Sequence, residues 1–353
     1  MERELEGCNK VILVKNIYYM LAYAFSVLNE QGYRNMGAED FGNTAELFAA
    51  ILARGISTQL KRGLGREYIH YTDSLSSLRG KIDISESIKT RTFMNRQMIC
   101  EYDDFSVNSR MNRIIKSSMI ELLRSGISSK RKKELRKLLV FFNDVDAIEL
   151  HSVDWHMRYN RNNQTYRMLI EICRLLAEGL IQNQEDGTRK MVDFLDEQRM
   201  HRLYEKFILE YFRKEFPQVT ANASYIAWQL DGSNSEMLPV MKTDIMLTYG
   251  EKTLIIDAKY YSRTMSENFG VRRLHSGNLY QIFTYVKNKD AELSGRPHEV
   301  SGMLLYAKTD EEIYPECEYS MSGNTIAVRT LDLGGDFATI REQLDGIAER
   351  FLL

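Results

Sequence analysis

The stretch KTDIMLTYGEKTLIIDAKYY, Lys242 to Tyr261, constrains the fold more than any other part of this 353-residue chain. Two runs rich in β-branched, aromatic and large apolar residues, Val240 to Tyr249 and Thr253 to Tyr261, flank Gly250-Glu251, and a glycine at the first central position suits a type II′ turn. The spacing predicts a β-hairpin. With a two-residue loop, Tyr249 pairs with Lys252, Leu247 with Leu254, Ile245 with Ile256 and Asp244 with Asp257. Side chains alternate faces along a strand, so Lys242, Asp244, Asp257 and Lys259 share one face while Ile245, Leu247, Leu254 and Ile256 share the other. One face reads as a site and the other as core.

Carboxylates directly opposite on a sheet, with β-carbons roughly 5 Å apart, repel each other, and removal from water worsens the repulsion. A hard divalent cation offsets that cost. Mg²⁺, with Mn²⁺ as a substitute, takes one or two carboxylates, here Asp244 and Asp257, with the backbone carbonyl of Ala258 as a further oxygen, and keeps waters for chemistry. Lys259 would lie beside the metal, where an ammonium polarises a water or stabilises charge developing at phosphorus. Metal-assisted phosphodiester hydrolysis fits this arrangement. The competing reading is a pair of structural ion bridges, Asp257 with Lys242 and Asp244 with Lys259. Against it, Asp257 ends Thr-Leu-Ile-Ile, a run apolar on both faces as in a central strand.

These residues resemble a known family. Asp244 followed by Asp257-Ala258-Lys259 resembles the PD-(D/E)xK nuclease core, in which the two acids bind Mg²⁺ and the lysine assists the attacking water. Gln281 and Tyr285 in NLYQIFTYV resemble the Q-x-x-x-Y helix of the RecB-like branch. VKNIYYMLAYAF (Val14 to Phe25), LRGKIDI (Leu78 to Ile84), NRIIKSS (Asn112 to Ser118), LYEKFILEYFRKEF (Leu203 to Phe216) and HSGNLYQ (His275 to Gln281) together resemble the McrC family, the nuclease subunits of 5-methylcytosine restriction systems. The likeness spans nearly the whole chain in order. It implies a partner, an McrB-like AAA+ GTPase forming a hexameric ring, which reads methylated double-stranded DNA and whose GTP hydrolysis the N-terminal half stimulates.

Composition permits this reading. The chain is long enough for two cores, and 44% hydrophobic with 27% charged residues is ordinary for a globular protein. No run approaches the ~18 apolar residues of a membrane span, and MERELEGCNK is too acidic for a signal peptide, so a cytoplasmic location is expected. Cys8, Cys100, Cys173 and Cys317 are far apart, which argues against a disulfide framework or a zinc site. The net charge of −2 offers no global basic face for DNA. Local candidates are Arg272, Arg273, His275 and Asn278, just past the hairpin. The basic run Ser128 to Lys137 reads as a solvated helix face.

Periodicity predicts an α+β chain in two domains, 1–182, mixed α and β, and 191–353, a central mixed sheet flanked by helices; the resemblance implies that the first docks to the partner and that the second is the nuclease domain. Gln182 to Lys190 reads as the linker. Helices are expected over Lys15–Asn29, Thr44–Leu60, Ser109–Arg124, Ser129–Phe142 and Gln164–Leu180, and strands over Arg66–Thr72, Leu78–Ile88 and Gln97–Ser106. In the second domain the expected order is helix (Glu197–Glu215), strand (Val219–Leu230), the hairpin, helix (Asn278–Lys289), strand (Val300–Ala307), strand (Thr325–Leu331) and helix (Phe337–Phe351). Gln281 could bond a metal-bound water or phosphate, or cap its own helix. Glu205 could approach the metal, but an i, i+4 surface pairing is the expectation.

The chain lacks a G-x-x-x-x-G-K-[ST] loop, so it should bind no nucleotide itself. One hydrolytic site per chain must pair or act twice to cut both strands, so dimerisation of the assembled complex is expected. A self-sufficient RecB-like nuclease and a non-enzymatic GTPase-activating adaptor are the alternatives. The first fits poorly with the near-neutral charge, the second with the intact acid, acid and lysine set.

Overall fold

The computed structural model describes residues 14–24, 41, 43–160, 163, 165–180, 197–232, 237–260, 265–268, 271–308 and 315–353. The expected linker, 182–190, and the end of the first expected helix, 25–29, lie outside them. The fold is α+β, and the chain divides into two compact units, one over Gly42–Asp193 and one combining Met1–Phe41 with Phe194–Leu353.

The first helix, α1 (Val14–Ala24), was expected with the N-terminal domain and packs instead with the C-terminal unit. The cause is its composition: Ile17, Tyr18, Met20, Leu21, Ala22, Tyr23 and Ala24 are all buried, so it has almost no wet face. Asn16, 1% exposed, donates from Nδ2 to the carbonyls of Leu333 (2.7 Å) and Gly335 (2.8 Å). Tyr19 stacks on Phe337 at 4.1 Å, and the Tyr23 hydroxyl donates to Glu215 at 2.8 Å.

The Gly42–Asp193 unit holds α2 (Thr44–Arg62), β1 (Glu67–Leu75), β2 (Lys81–Asp83), α3 (Ile84–Lys89), β3 (Met98–Ser106), α4 (Arg110–Arg124), α5 (Ser129–Leu139) and α6 (Tyr166–Leu180). Asn43, Ser109 and Ser128 cap α2, α4 and α5 through their side-chain oxygens. Only Leu135 and Leu138 of α5 are buried, and Lys130, Lys133, Arg136 and Lys137 form the solvated face expected of the basic run, whereas the Arg131 side chain is largely covered and pairs with Glu46 and Glu134. The strands make an antiparallel sheet in the order β1-β3-β2. Neither face of β1 is fully buried, and cross-strand ring pairs Tyr68–Phe105 (5.0 Å) and Tyr71–Tyr102 (5.7 Å) support the ladder in place of a core. The strand expected over Leu78–Ile88 ends at Asp83. There the Asp83 carboxylate accepts the Glu86 N–H at 2.9 Å and starts α3.

The C-terminal unit continues with α7 (Glu197–Glu215), β4 (Thr220–Asn222), β5 (Tyr225–Ile226), β6 (Met241–Lys242), β7 (Ile245–Tyr249), β8 (Lys252–Lys259), β9 (Met265–Asn268), β10 (Val271–Leu274), α8 (Ser276–Glu292), β11 (Glu299–Ala307), β12 (Cys317–Met321), β13 (Asn324–Leu331) and α9 (Phe337–Phe351). Six strands form one mixed sheet, ordered β12-β13-β11-β8-β7-β4, with β8, β11 and β13 parallel and β7 antiparallel to β8. β8 is buried along nearly its whole length, as its two-sided apolar pattern demands. Helix α8 packs its buried Ile282 and Val286 with Ile255 of β8 and Leu304 of β11.

The hairpin forms in the expected register, Tyr249↔Lys252, Leu247↔Leu254 and Ile245↔Ile256, around Gly250 at φ 58°. Two expected long strands are broken. Val219–Leu230 yields only the short β4 and β5, and Val240–Tyr249 splits into β6 and β7. Thr243 causes the split: its N–H bonds the Ser224 carbonyl (2.9 Å) and its hydroxyl accepts the Ser224 N–H (3.1 Å), which ties this segment toward β5.

Candidate active site

Asp244 does not sit in the ladder opposite Asp257 as expected. It occupies the bend just before β7, where Oδ2 accepts the backbone N–H of Ala258 at 3.0 Å. The bend nevertheless brings the two acids close enough for each carboxyl to affect the other's titration. Asp257 is 2% exposed and Lys259 7%. Ile255, Asp257 and Lys259 point to the same face of β8 as α8, by the alternation of a strand.

Lys259 Nζ lies 2.9 Å from Asp257 Oδ2. This is an ion contact, and Asp257 Oδ2 meets no hydrogen-bond donor in good geometry although it is fully buried. Lys242, at the end of β6, is exposed, so the structural bridge Asp257–Lys242 does not form. Burial, then the neighbouring Asp257 charge and that of Glu205, push the Asp244 carboxyl up from 3.8 to about 7, with Lys259 opposing. Burial likewise raises Asp257, against the pull of Lys259. One ammonium therefore faces two acids, Asp257 buried and Asp244 partly buried.

Glu205 was left out of the site on sequence grounds. On α7 it makes the expected i, i+4 contact, with His201 at 2.6 Å, yet its charge also reaches Asp244, and that of His201 reaches Asp257. Nothing in the local sequence separates Glu205 from other helical glutamates, because its approach depends on how α7 docks on the sheet.

Gln281 neither caps α8 nor stands apart from the acids. Its Oε1 accepts from Lys259 Nζ at 3.4 Å, and its Nε2 donates to the Tyr285 hydroxyl at 3.0 Å. Among the expected DNA contacts, Arg273 is exposed on β10 and His275 is half-buried at the N-terminal boundary of α8, while the side chain of Arg272 lies outside the described residues. Asn278 departs from its expected role. It is buried, and its Nδ2 donates to the Tyr306 hydroxyl at 3.0 Å, which pins α8 to β11.

A divalent cation fits these residues. The raised Asp244 carboxyl and the buried Asp257 carboxyl close to it offer oxygens of the kind a hard cation takes. Among the described residues no group of three or more His, Cys, Asp or Glu is placed to hold a metal ion.

A mixed sheet flanked by helices thus brings two acids, Asp257 of a central strand and Asp244 of the bend beside it, together with one ammonium. The family model described as "McrBC 5-methylcytosine restriction system component" matches residues 5–307, and the chain belongs to that family. It is similar to the Type IV methyl-directed restriction enzyme EcoKMcrBC of Escherichia coli (strain K12), with 29% identity over 350 residues, 97% of this chain and 99% of that one. Two solved structures from Thermococcus gammatolerans also match. One is a half-complex from a tetradecameric assembly of McrB AAA+ hexamers with bound McrC, at 20% identity, TM-score 0.47, covering 95% of this chain and 76% of the other. The second is the McrBC complex, at 24% identity, TM-score 0.40, covering 58% and 59%. No helix among the described residues is long and apolar enough to cross a membrane.

Proposed function

We propose that this chain is the Mg²⁺-dependent DNA endonuclease subunit of a modification-dependent restriction complex, with a PD-(D/E)xK nuclease built on the C-terminal unit. The observation that carries it is the close Asp244–Asp257 pair with Lys259 beside it. Asp244 and Asp257 would hold the cation, which when bound neutralises charge at the phosphodiester and makes an attacking water more acidic. Lys259 holds and polarises the water and stabilises charge developing on the phosphoryl oxygens. Arg273 and His275 steer the DNA backbone toward the acids. A duplex cut requires two such sites, hence dimerisation of the assembled complex, and DNA as substrate implies a cytoplasmic setting.

The Gly42–Asp193 unit is the proposed docking element for a hexameric McrB-like AAA+ GTPase, whose turnover it raises. In support, Tyr68, Leu78, Ile84, Ile88, Phe93, Met94 and Phe105 are all exposed on the paired strands β1 and β3 and the segment with α3 between them, a concentration of apolar surface that marks an interaction site. The experiment is to mix the chain with its GTPase partner, GTP and Mg²⁺, and to follow cutting of 5-methylcytosine-containing and unmodified duplexes. Cutting confined to the modified duplex and to mixtures containing both proteins is expected. Equal cutting by the chain alone would favour a self-sufficient nuclease, and no cutting with normal GTPase stimulation would favour an adaptor.

A further inference from the structure

The two acids that would hold a cation also repel the phosphodiester that must reach it, and Glu205 adds a third carboxyl whose charge reaches Asp244. The approach of DNA therefore calls for positive charge at the rim of the site. Two exposed cations lie there, Arg202 on α7 and Lys242 at the end of β6. Neither side chain has an ion-pair or hydrogen-bond partner among the described residues. By contrast, Arg213, Lys214, Lys287, Lys289 and Lys308 of the same unit each have a carboxylate within 3.6 Å.

Helix α7 is fixed at the end of β8 by Tyr204, whose ring meets that of Tyr260 at 6.2 Å and whose hydroxyl donates to the Leu305 carbonyl at 3.4 Å. Arg202 adjoins His201 and stands one helical turn before Glu205, the two α7 side chains whose charges reach Asp257 and Asp244. Lys242 comes two residues before Asp244, which keeps their Cα atoms within about 7 Å. It ends a short ribbon, β5 with β6, whose Ile226 and Met241 pack with Ile282 and Val286 of α8. The two cations thus reach the acids from different sides, one beside α7 and the other beside α8.

We infer that Arg202 and Lys242 are a phosphate-binding pair that positions the DNA strand being cut, each holding a backbone phosphate on one side of the scissile bond. The inference rests on the nuclease reading of the site. An exposed cation with no carboxylate partner gives up only water and counterions when a phosphate arrives, whereas a paired one must first break its bridge. Phosphates are alike at every base pair, so the pair positions the strand without reading its sequence. Lys252 is the natural control. It too has no partner among the described residues, but it starts β8, five residues and about 17 Å before Asp257.

The test uses the full chain assembled with its GTPase partner, with Mg²⁺ as the metal and a methylated duplex as substrate, and reads single-turnover cleavage against DNA concentration. Arg202→Gln and Lys242→Gln should each raise the DNA concentration for half-saturation roughly three- to tenfold at about 50 mM salt, with maximal rate, melting temperature and GTPase stimulation unchanged. One phosphate contact contributes a slope of about 0.9 in log affinity against log salt, so each penalty should shrink about 3.5-fold by about 200 mM. Arg202→Lys and Lys242→Arg keep the charge and should stay within about twofold of the wild type, as should Lys252→Gln. Lys259→Ala must be inactive in the same assay. If Lys259→Ala cuts like the wild type, the nuclease reading fails and the pair with it. If Lys259→Ala is dead but either Arg202→Gln or Lys242→Gln saturates like the wild type, or loses maximal rate alone, the pair is wrong while the nuclease reading stands. An equal penalty in Lys252→Gln would assign the effect to overall charge and overturn the pair. Loss of GTPase stimulation in step with DNA saturation would also overturn it, by assigning the two cations to the partner protein.

Discussion

The carboxylate of Asp244 accepts the backbone N–H of Ala258 at 3.0 Å, a bond that reaches from the bend before β7 to the residue between Asp257 and Lys259 on β8. It locks the first acid against the strand that carries the other two groups, without using the strand ladder. The two carboxyls are thus held together by the backbone whether or not a cation separates them.

A pH dependence follows. Without metal, the folded chain keeps a proton on Asp244 up to about pH 7, whereas the unfolded chain releases it near 3.8. Between those values the folded state binds more protons, so metal-free stability falls as pH rises through that window. Asp244→Asn keeps an oxygen for the Ala258 N–H and removes the titration. In a chelator, thermal melts should show the wild type losing several degrees from about pH 5 to pH 8 and the variant losing clearly less. Parallel losses in the two proteins would contradict the assignment.

Helix α8 carries Gln281 and Tyr285, and its height above the sheet is set at Gly302 of β11. A Cβ there would lie 2.7 Å from Val286 Cγ2 and 2.9 Å from Ile282 Cγ1. Gly302→Ala should therefore displace α8, destabilise the unit by about 1–3 kcal/mol, and slow cleavage by more than its effect on melting explains. Denaturant titration and cleavage rates together check this, and a neutral variant would show that α8 accommodates the methyl freely.

Asn16 ties α1 to the loop before α9 by two bonds from one buried amide. Asn16→Ala leaves the Leu333 and Gly335 carbonyls without that donor and should cost about 1–3 kcal/mol in chemical denaturation. A value below about 0.5 kcal/mol would mean that α1 contributes little to the C-terminal unit.

Where local chemistry sets structure, it was legible. Gly250 at a two-residue turn fixed the hairpin register, and the run Thr253 to Ile256 announced a central strand. Asp83 and Glu86, spaced as a helix cap requires, were a readable signal for α3 that the alternation of LRGKIDISESI obscured. That pattern singles out Asp257 and Lys259, and the register singles out Asp244, although the ladder stops one residue short of it. What escaped depends on contacts distant in sequence. The Thr243–Ser224 bonds break an otherwise continuous strand, Asn278 meets Tyr306 and not solvent, Glu205 reaches Asp244 from another element, and α1 finds partners more than 180 residues away. No periodicity in a single sequence encodes which helix docks where.

The central claim is that one site in the C-terminal unit cuts DNA while the Gly42–Asp193 unit drives the GTPase. Asp257→Ala tests it most directly, with GTP hydrolysis and cutting of a methylated duplex measured in the same tube with the partner. Removing one member of a catalytic constellation can cost nearly as much as removing all of them, so cutting should fall by at least about a thousandfold while GTPase stimulation stays at the wild-type level. Cutting that survives in Asp257→Ala would place the nuclease site elsewhere, and a folded variant that loses stimulation together with cutting would contradict the division of labour.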